Sequence, residues 1–276
     1  MKMITAFFAL ILFPLMVSPS NAKTLVFSEE CNAPLNYSTD CSTNDGTKWC
    51  LRDNHWHDSL GHGSCNMAAN VTVEDGLCVI TLKKESVICR GTPKQWTGGE
   101  MNTLNRWGFS HGYLEARIKL PQGRGLWGAL WTYPKAWSPN MPEHDIFETP
   151  HGDNPTYLTY HYRYGDTRHV DGQQVNIPDF SGWHVWGFRW EPGLITYTVD
   201  GKESFRHEGD TVPAKDEVVS IFTSLTAGGD WMGEFPDETT QLPARMEIDY
   251  IRVYDQSSVQ EGGGVPSPPG GVKISK

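Results

Sequence analysis

The sequence predicts an all-β sandwich, and three observations carry that reading. Short runs rich in Val, Ile, Tyr, Phe and Trp recur along the chain, several with period-2 alternation. Asp-Gly and Pro-Gly pairs punctuate them at short intervals. Beyond the first 22 residues, no long stretch sustains the 3.6-residue apolar period of an amphipathic helix. One sandwich domain can run to roughly 200–250 residues, so residues 23–255 are expected to form a single unit.

The elements follow in order. Val71 to Leu82 reads as a hairpin folded about Asp75-Gly76, since a two-residue turn favours that pair. From Tyr113 to Leu120 the pattern alternates, with Leu114, Ala116, Ile118 and Leu120 inward and Tyr113, Glu115, Arg117 and Lys119 outward. Trp186, Phe188 and Trp190 alternate before a Pro192-Gly193 turn. Leu194 to Val199 follows, then an Asp200-Gly201 turn, and Val218 to Leu225 and Met246 to Tyr254 complete the set. Residues 256–276 shift to Gly, Pro and Ser without apolar pattern and read as a flexible tail or linker stub.

Residues 1–22 have the form of a secretory signal: Lys2, an apolar run from Ile4 to Val17, and Ser20-Asn21-Ala22 before a cleavage point. Export is therefore expected, to the periplasm or the medium, with no membrane span in the mature chain. All six cysteines (Cys31, Cys41, Cys50, Cys65, Cys78 and Cys89) lie in the N-terminal third. An even count in an exported chain points to disulfides, and six cysteines allow fifteen pairings among which sequence does not choose. The polar stretch Cys31–Cys65 buries little by itself, so cross-links there would compensate by restricting the unfolded chain. His55, His57 and His62 match no zinc spacing and read as a solvated loop. Asn36 and Asn70 begin Asn-x-Ser/Thr sites that a eukaryotic host would glycosylate. The formal net charge of −10 argues against nucleic acid and anionic membranes as partners.

The densest chemistry is Glu143-His144-Asp145-Ile146-Phe147-Glu148. In a plain strand Glu143 and Asp145 share a face and Glu148 falls on the other. A β-bulge near Ile146 or Phe147 would bring Glu148 back, aligning three carboxylates with Asp145 in the middle. Two carboxylates on one surface are what glycosidic bond cleavage requires. His144 should then point the opposite way, into the sheet packing.

The motif's flanks resemble glycoside hydrolase family 16, the endo-acting β-glucanases and galactanases of the laminarinase/lichenase type. Upstream lie Thr97-Gly98-Gly99-Glu100, the run Gly112 to Pro121, and Gly125-Leu126-Trp127-Gly128-Ala129-Leu130-Trp131; downstream lie Thr226 to Trp231 and Ile248 to Tyr254. The resemblance spans residues 68 to 255 and implies a concanavalin-like jelly roll of two curved antiparallel sheets with an open cleft. It implies Glu143 as nucleophile, Glu148 as acid/base, and Asp145 as the residue that orients Glu143 and helps keep Glu148 protonated. Trp131 and Trp127 become sugar platforms, Trp231 a cleft-loop residue, His161 a polar neighbour of the catalytic pair, and Glu100 a binder of sugar hydroxyls. Asp249 matches a position that holds a structural calcium in family members; no cofactor is implied for catalysis.

The expected function is thus a secreted, monomeric endo-glycosidase cleaving β-1,3 or mixed β-1,3/1,4 glucan with retention. β-Galactan hydrolases of the agarase and carrageenase kind share the carboxylate pattern, and a retaining intermediate also serves transglycosylases. Non-catalytic sugar-binding relatives lose one or both catalytic carboxylates, and this chain keeps all three. Two departures bear on substrate choice: Ser138 to Pro142 lacks the Gly usual in laminarinases, and the cysteine-rich N-terminal segment is not a family hallmark.

Overall fold

A computed structural model describes residues 24–57, 61–135, 141–213, 217–231 and 233–255. The expected signal segment 1–22, the tail 256–276 and most of the Ser138–Pro142 loop lie outside the described residues.

Seventeen strands and one 3-10 turn, Ala68–Asn70, make up the described regular structure. The outer sheet runs in the order β5 (Val71–Glu74), β6 (Leu77–Cys89), β17 (Ala244–Tyr254), β8 (Gly112–Lys119), β13 (Trp183–Glu191), β14 (Leu194–Val199) and β15 (Lys202–Glu208). β1 (Leu25–Glu29) joins the far end of β17. The inner sheet runs β2 (Tyr37–Ser38), β3 (Trp49–Leu51), β7 (Thr92–Asn102), β16 (Val219–Ala227), β9 (Leu126–Pro134), β10 (Glu143–Glu148), β11 (Thr156–Tyr164) and β12 (Thr167–Val175). β4 (Ser64–Asn66) runs parallel to β7 beside the β6–β7 hairpin, and apart from this and the parallel β2–β3 pair the pairings are antiparallel. The β6–β7 hairpin carries the chain from one sheet to the other. Gly98 makes that passage possible, because a Cβ there would lie 2.3 Å from the Leu225 carbonyl oxygen.

The core fills the space between the sheets. Trp186, Phe188 and Trp190 of β13 and Leu114, Ala116 and Ile118 of β8 are all fully buried, as the alternation requires. They meet the inner sheet through Phe147 on Trp186 (4.4 Å) and His144 on Phe188 (4.6 Å). Tyr113 and Glu115 do face outward from β8, yet they are 3% and 6% exposed because the neighbouring strand covers them. Tyr254 stacks on Tyr113 and donates a hydrogen bond to Glu115.

The cysteines pair as Cys31–Cys78, Cys41–Cys50 and Cys65–Cys89. The polar N-terminal stretch gains a second organiser in Arg106, whose guanidinium donates to the carbonyls of Asp40, Thr43 and Trp49. Trp49 and Leu51 enter the main core from it. Asn70 is only 3% exposed and its amide is engaged by Thr97, Gly98 and Lys83, so a glycan there would have to break that buried network. No helix among the described residues is long and apolar enough to cross a membrane.

Candidate active site

Strand β10 carries the bulge that the carboxylate spacing called for. Against β9, Asp145 pairs with Trp131 and Phe147 with Leu130, so Ile146 is the extra residue. Against β11, Asp145 pairs with Thr159 and Glu148 with Tyr157. Glu143, Asp145 and Glu148 consequently face one cleft, while His144, Ile146 and Phe147 are buried on the other side. His144 stacks on Tyr160 and shares a hydrogen bond with Thr132, so it belongs to the core as expected.

Register across the inner sheet arranges the cleft floor in rows, since directly opposed residues share a face. One row reads Ser224, Ala129, Glu148, Tyr157 and Gln174; the next reads Phe222, Trp131, Asp145, Thr159 and Gly172. His161 lies opposite Glu143 in a third. The cleft above them encloses about 540 Å³.

The three carboxylates have unequal surroundings. Arg168 of β12 donates to Glu143 at 3.1 Å, and His161 Nε2 lies 3.2 Å from Asp145. Glu148 receives a hydrogen bond from Trp127 and has no ion pair among the described residues. Burial raises the Glu143 carboxyl above its ordinary range, against the pull of His161, Arg168 and His57. Burial and the Glu143 charge hold Asp145 well above its own. For Glu148, burial dominates, Asp145 and Glu143 add to it, and its carboxyl is pushed well up. Burial thus disfavours the charged form of all three carboxyls, and Glu143 is the one with a guanidinium to stabilise its anion.

Aromatic rings line one wall. Trp231, 47% exposed, packs on Tyr157 (4.9 Å) and Trp127 (5.5 Å). Trp131 lies against Phe222 and presents part of its ring to the cleft, whereas Trp127 is 3% exposed and serves equally as packing.

Two expectations need correction. Glu100 is fully buried and does not reach the cleft. Its oxygens are taken by His57 (2.8 Å), Asn102 (3.0 Å) and Asn66 (3.3 Å), with Arg52 3.5 Å away. Asp249, assigned to calcium by resemblance, is instead paired at 2.8 Å with Arg117, which lies over Trp183. A guanidinium already neutralises that carboxylate, and among the described residues no group of three or more metal-ligating side chains includes it.

Other lining residues were not foreseen. His57 and His62, read as a solvated loop, stand in the cleft wall, with His62 5% exposed against Trp127. Arg168 and Tyr157 also line it. Nothing in their spacing along the sequence pointed to that position.

The chain matches the model of Glycosyl hydrolases family 16 over residues 62–252, more than half of its length. It is 28% identical over 216 residues to a glucan endo-1,3-beta-glucosidase A1 of Niallia circulans, covering 69% of this chain and 31% of that protein. A beta-glucanase of Rhodothermus marinus is 27% identical over 208 residues, covering 67% of this chain and 70% of that one. Among solved structures, the catalytic domain of an endo-1,3-beta-glucanase (laminarinase) from Thermotoga petrophila RKU-1 superposes with a TM-score of 0.72. It is 28% identical, covering 85% of this chain and 98% of that domain. The chain thus spans about a third of the first relative and nearly all of the solved catalytic domain.

Proposed function

From the chain's membership of the family 16 glycosyl hydrolases and the geometry of its cleft, we propose that it cleaves internal linkages of a β-1,3 or mixed β-1,3/1,4 glucan with retention. The observation that carries this reading is the β10 bulge, which sets Glu143, Asp145 and Glu148 on the cleft floor, with the Arg168 guanidinium beside Glu143.

Glu143, its anion stabilised by Arg168, attacks the anomeric carbon while Glu148 gives its proton to the departing glycosidic oxygen. The covalent glycosyl–Glu143 ester then meets a water that Glu148, now a carboxylate, deprotonates; the ester opens and Glu148 regains its proton. The two Cα atoms are about four strand steps apart, roughly 13 Å, and two long side chains leaning together shorten that gap. Asp145 orients Glu143 and, by its charge, helps Glu148 hold its proton. No step calls for a metal or organic cofactor. Three disulfides favour an oxidising compartment and so support export.

The test is a substrate panel of laminarin, barley glucan, lichenan, agarose and carrageenan with product analysis. Glu143→Gln and Glu148→Gln should each abolish hydrolysis while binding of the cleaved polysaccharide survives. Near wild-type turnover by Glu143→Gln would sink the assignment, and cleavage confined to agarose or carrageenan would move the substrate to β-galactan.

A further inference from the structure

His57 lies upstream of the region matched by the family, which begins at residue 62, yet it lines the cleft. Just downstream, the Cys65–Cys89 bridge fastens strand Ser64–Asn66 to the β6–β7 hairpin. The Gly63 amide donates to the Ala227 carbonyl, and the Ala227 amide donates to the Ser64 hydroxyl. Gly61 closes on the Trp231 loop so tightly that a Cβ would lie 2.1 Å from Asp230. His57 itself stands edge-on to Trp131, with ring centroids 5.8 Å apart.

The buried Glu100 clamps His57 through Nε2, while the ring, 23% exposed, lines the cleft. No described residue takes Nδ1. A carboxylate buried this deeply, with its own oxygens fixed by Asn102 and Asn66, is a rigid mount. We propose that His57 is a specificity-determining residue whose Nδ1–H donates a hydrogen bond to a hydroxyl of the sugar stacked on Trp131, with Glu100 as its positioning residue. This deepens the glucan-hydrolase reading and rests on it. Burial opposes a charged ring, but the Glu100 bond and charge outweigh it and favour the imidazolium, in which Nδ1 carries a proton. Arg52, His55 and His62 crowd the ring from its own segment, and Glu143 faces it across the cleft.

Two substitutions separate this role from a structural one. An Asn amide nitrogen occupies the place of the imidazole Nδ1, whereas a Gln amide occupies that of Nε2. His57→Asn keeps the donor to sugar and loses the Glu100 bond; His57→Gln does the reverse. On whichever panel polysaccharide the wild type cleaves, His57→Gln should raise KM about tenfold, the effect of one charge-assisted hydrogen bond, with kcat within about twofold. His57→Asn should stay within about threefold of wild type in KM. The opposite order, or no change in either variant, overturns the inference and leaves the glucanase reading standing. A wild type that cleaves no member of the panel removes both. Should both variants unfold, the test passes to ¹⁵N-labelled Glu143→Gln protein. There the His57 Nδ1 resonance should move on saturation with oligosaccharides from a wild-type digest, and a stationary resonance overturns the proposal.

Discussion

Replacing Arg168 with Gln should move the acidic limb of the pH–kcat/KM profile upward by about 0.7 of a pH unit. The pair in question is Arg168 Nη2 and Glu143 Oε2, 3.1 Å apart. At that distance two unit charges attract by about 5 kcal/mol at an effective dielectric near 20. The Arg168 side chain, however, is 60% exposed, so solvent and ions screen most of that. Exposed pairs measure about 0.2–1 kcal/mol, and the largely shielded Glu143 side, 18% exposed, places this one near the upper end, about 1 kcal/mol. At about 1.36 kcal/mol per pH unit, this converts to about 0.7. The sign follows from the role proposed for Glu143. Loss of the cation makes its anion costlier, its apparent pKa rises, and the nucleophile is protonated over more of the acidic range. Glu148 has no contact with Arg168, so the basic limb should stay in place. The assay is kcat/KM on the preferred polysaccharide from about pH 4 to 8 at low salt, with Arg168→Lys as a partial rescue. An acidic limb that stays put or moves down, or a shift confined to the basic limb, would refute this division of labour.

Asp145→Asn should lower turnover strongly and bring the basic limb to lower pH, because the Asp145 charge helps hold the proton on Glu148. Azide should restore turnover to Glu143→Ala, giving the inverted glycosyl azide, and should fail with Asp145→Ala; the reverse pattern would assign the nucleophile to Asp145. Cys31→Ala with Cys78→Ala opens a bridge spanning 47 residues and should cost about 4 kcal/mol in denaturant unfolding; a loss below about 1 kcal/mol would show that packing alone holds the segment.

How far the fold could be read from the residues depended on whether a feature was set by local chemistry. Asp75-Gly76 and Asp200-Gly201 identified hairpins because both residues of such a turn need positive φ, and both pairs have it. The β8 and β13 alternations marked the core for the same reason: a strand with one face on a packed interior repeats every second residue. Strand β12 escaped notice. Thr167–Val175 is mostly exposed, with Val170 61% accessible, so burial never imposed a pattern on its sequence. The cysteine pairing is likewise a property of distant segments meeting, and no spacing encodes it.

The carboxylate trio shows where local reading ends. Three acidic residues at that spacing can share a face only through a bulge, so the motif itself implied the geometry found in β10. The motif does not say which carboxyl stays protonated. That is decided by neighbours from other strands: Arg168 from β12 beside Glu143, His161 from β11 beside Asp145, and the Trp127 indole beside Glu148. Glu100 makes the same point in reverse. Its place after Gly98-Gly99 suggested a sugar contact, yet a segment tethered some forty residues upstream lays His57 across it. The carboxylate expected at the cleft is instead the mount for a histidine that lines it. A residue's position along its own strand thus fixes the face it occupies, and the segments arriving from elsewhere fix what it can do there.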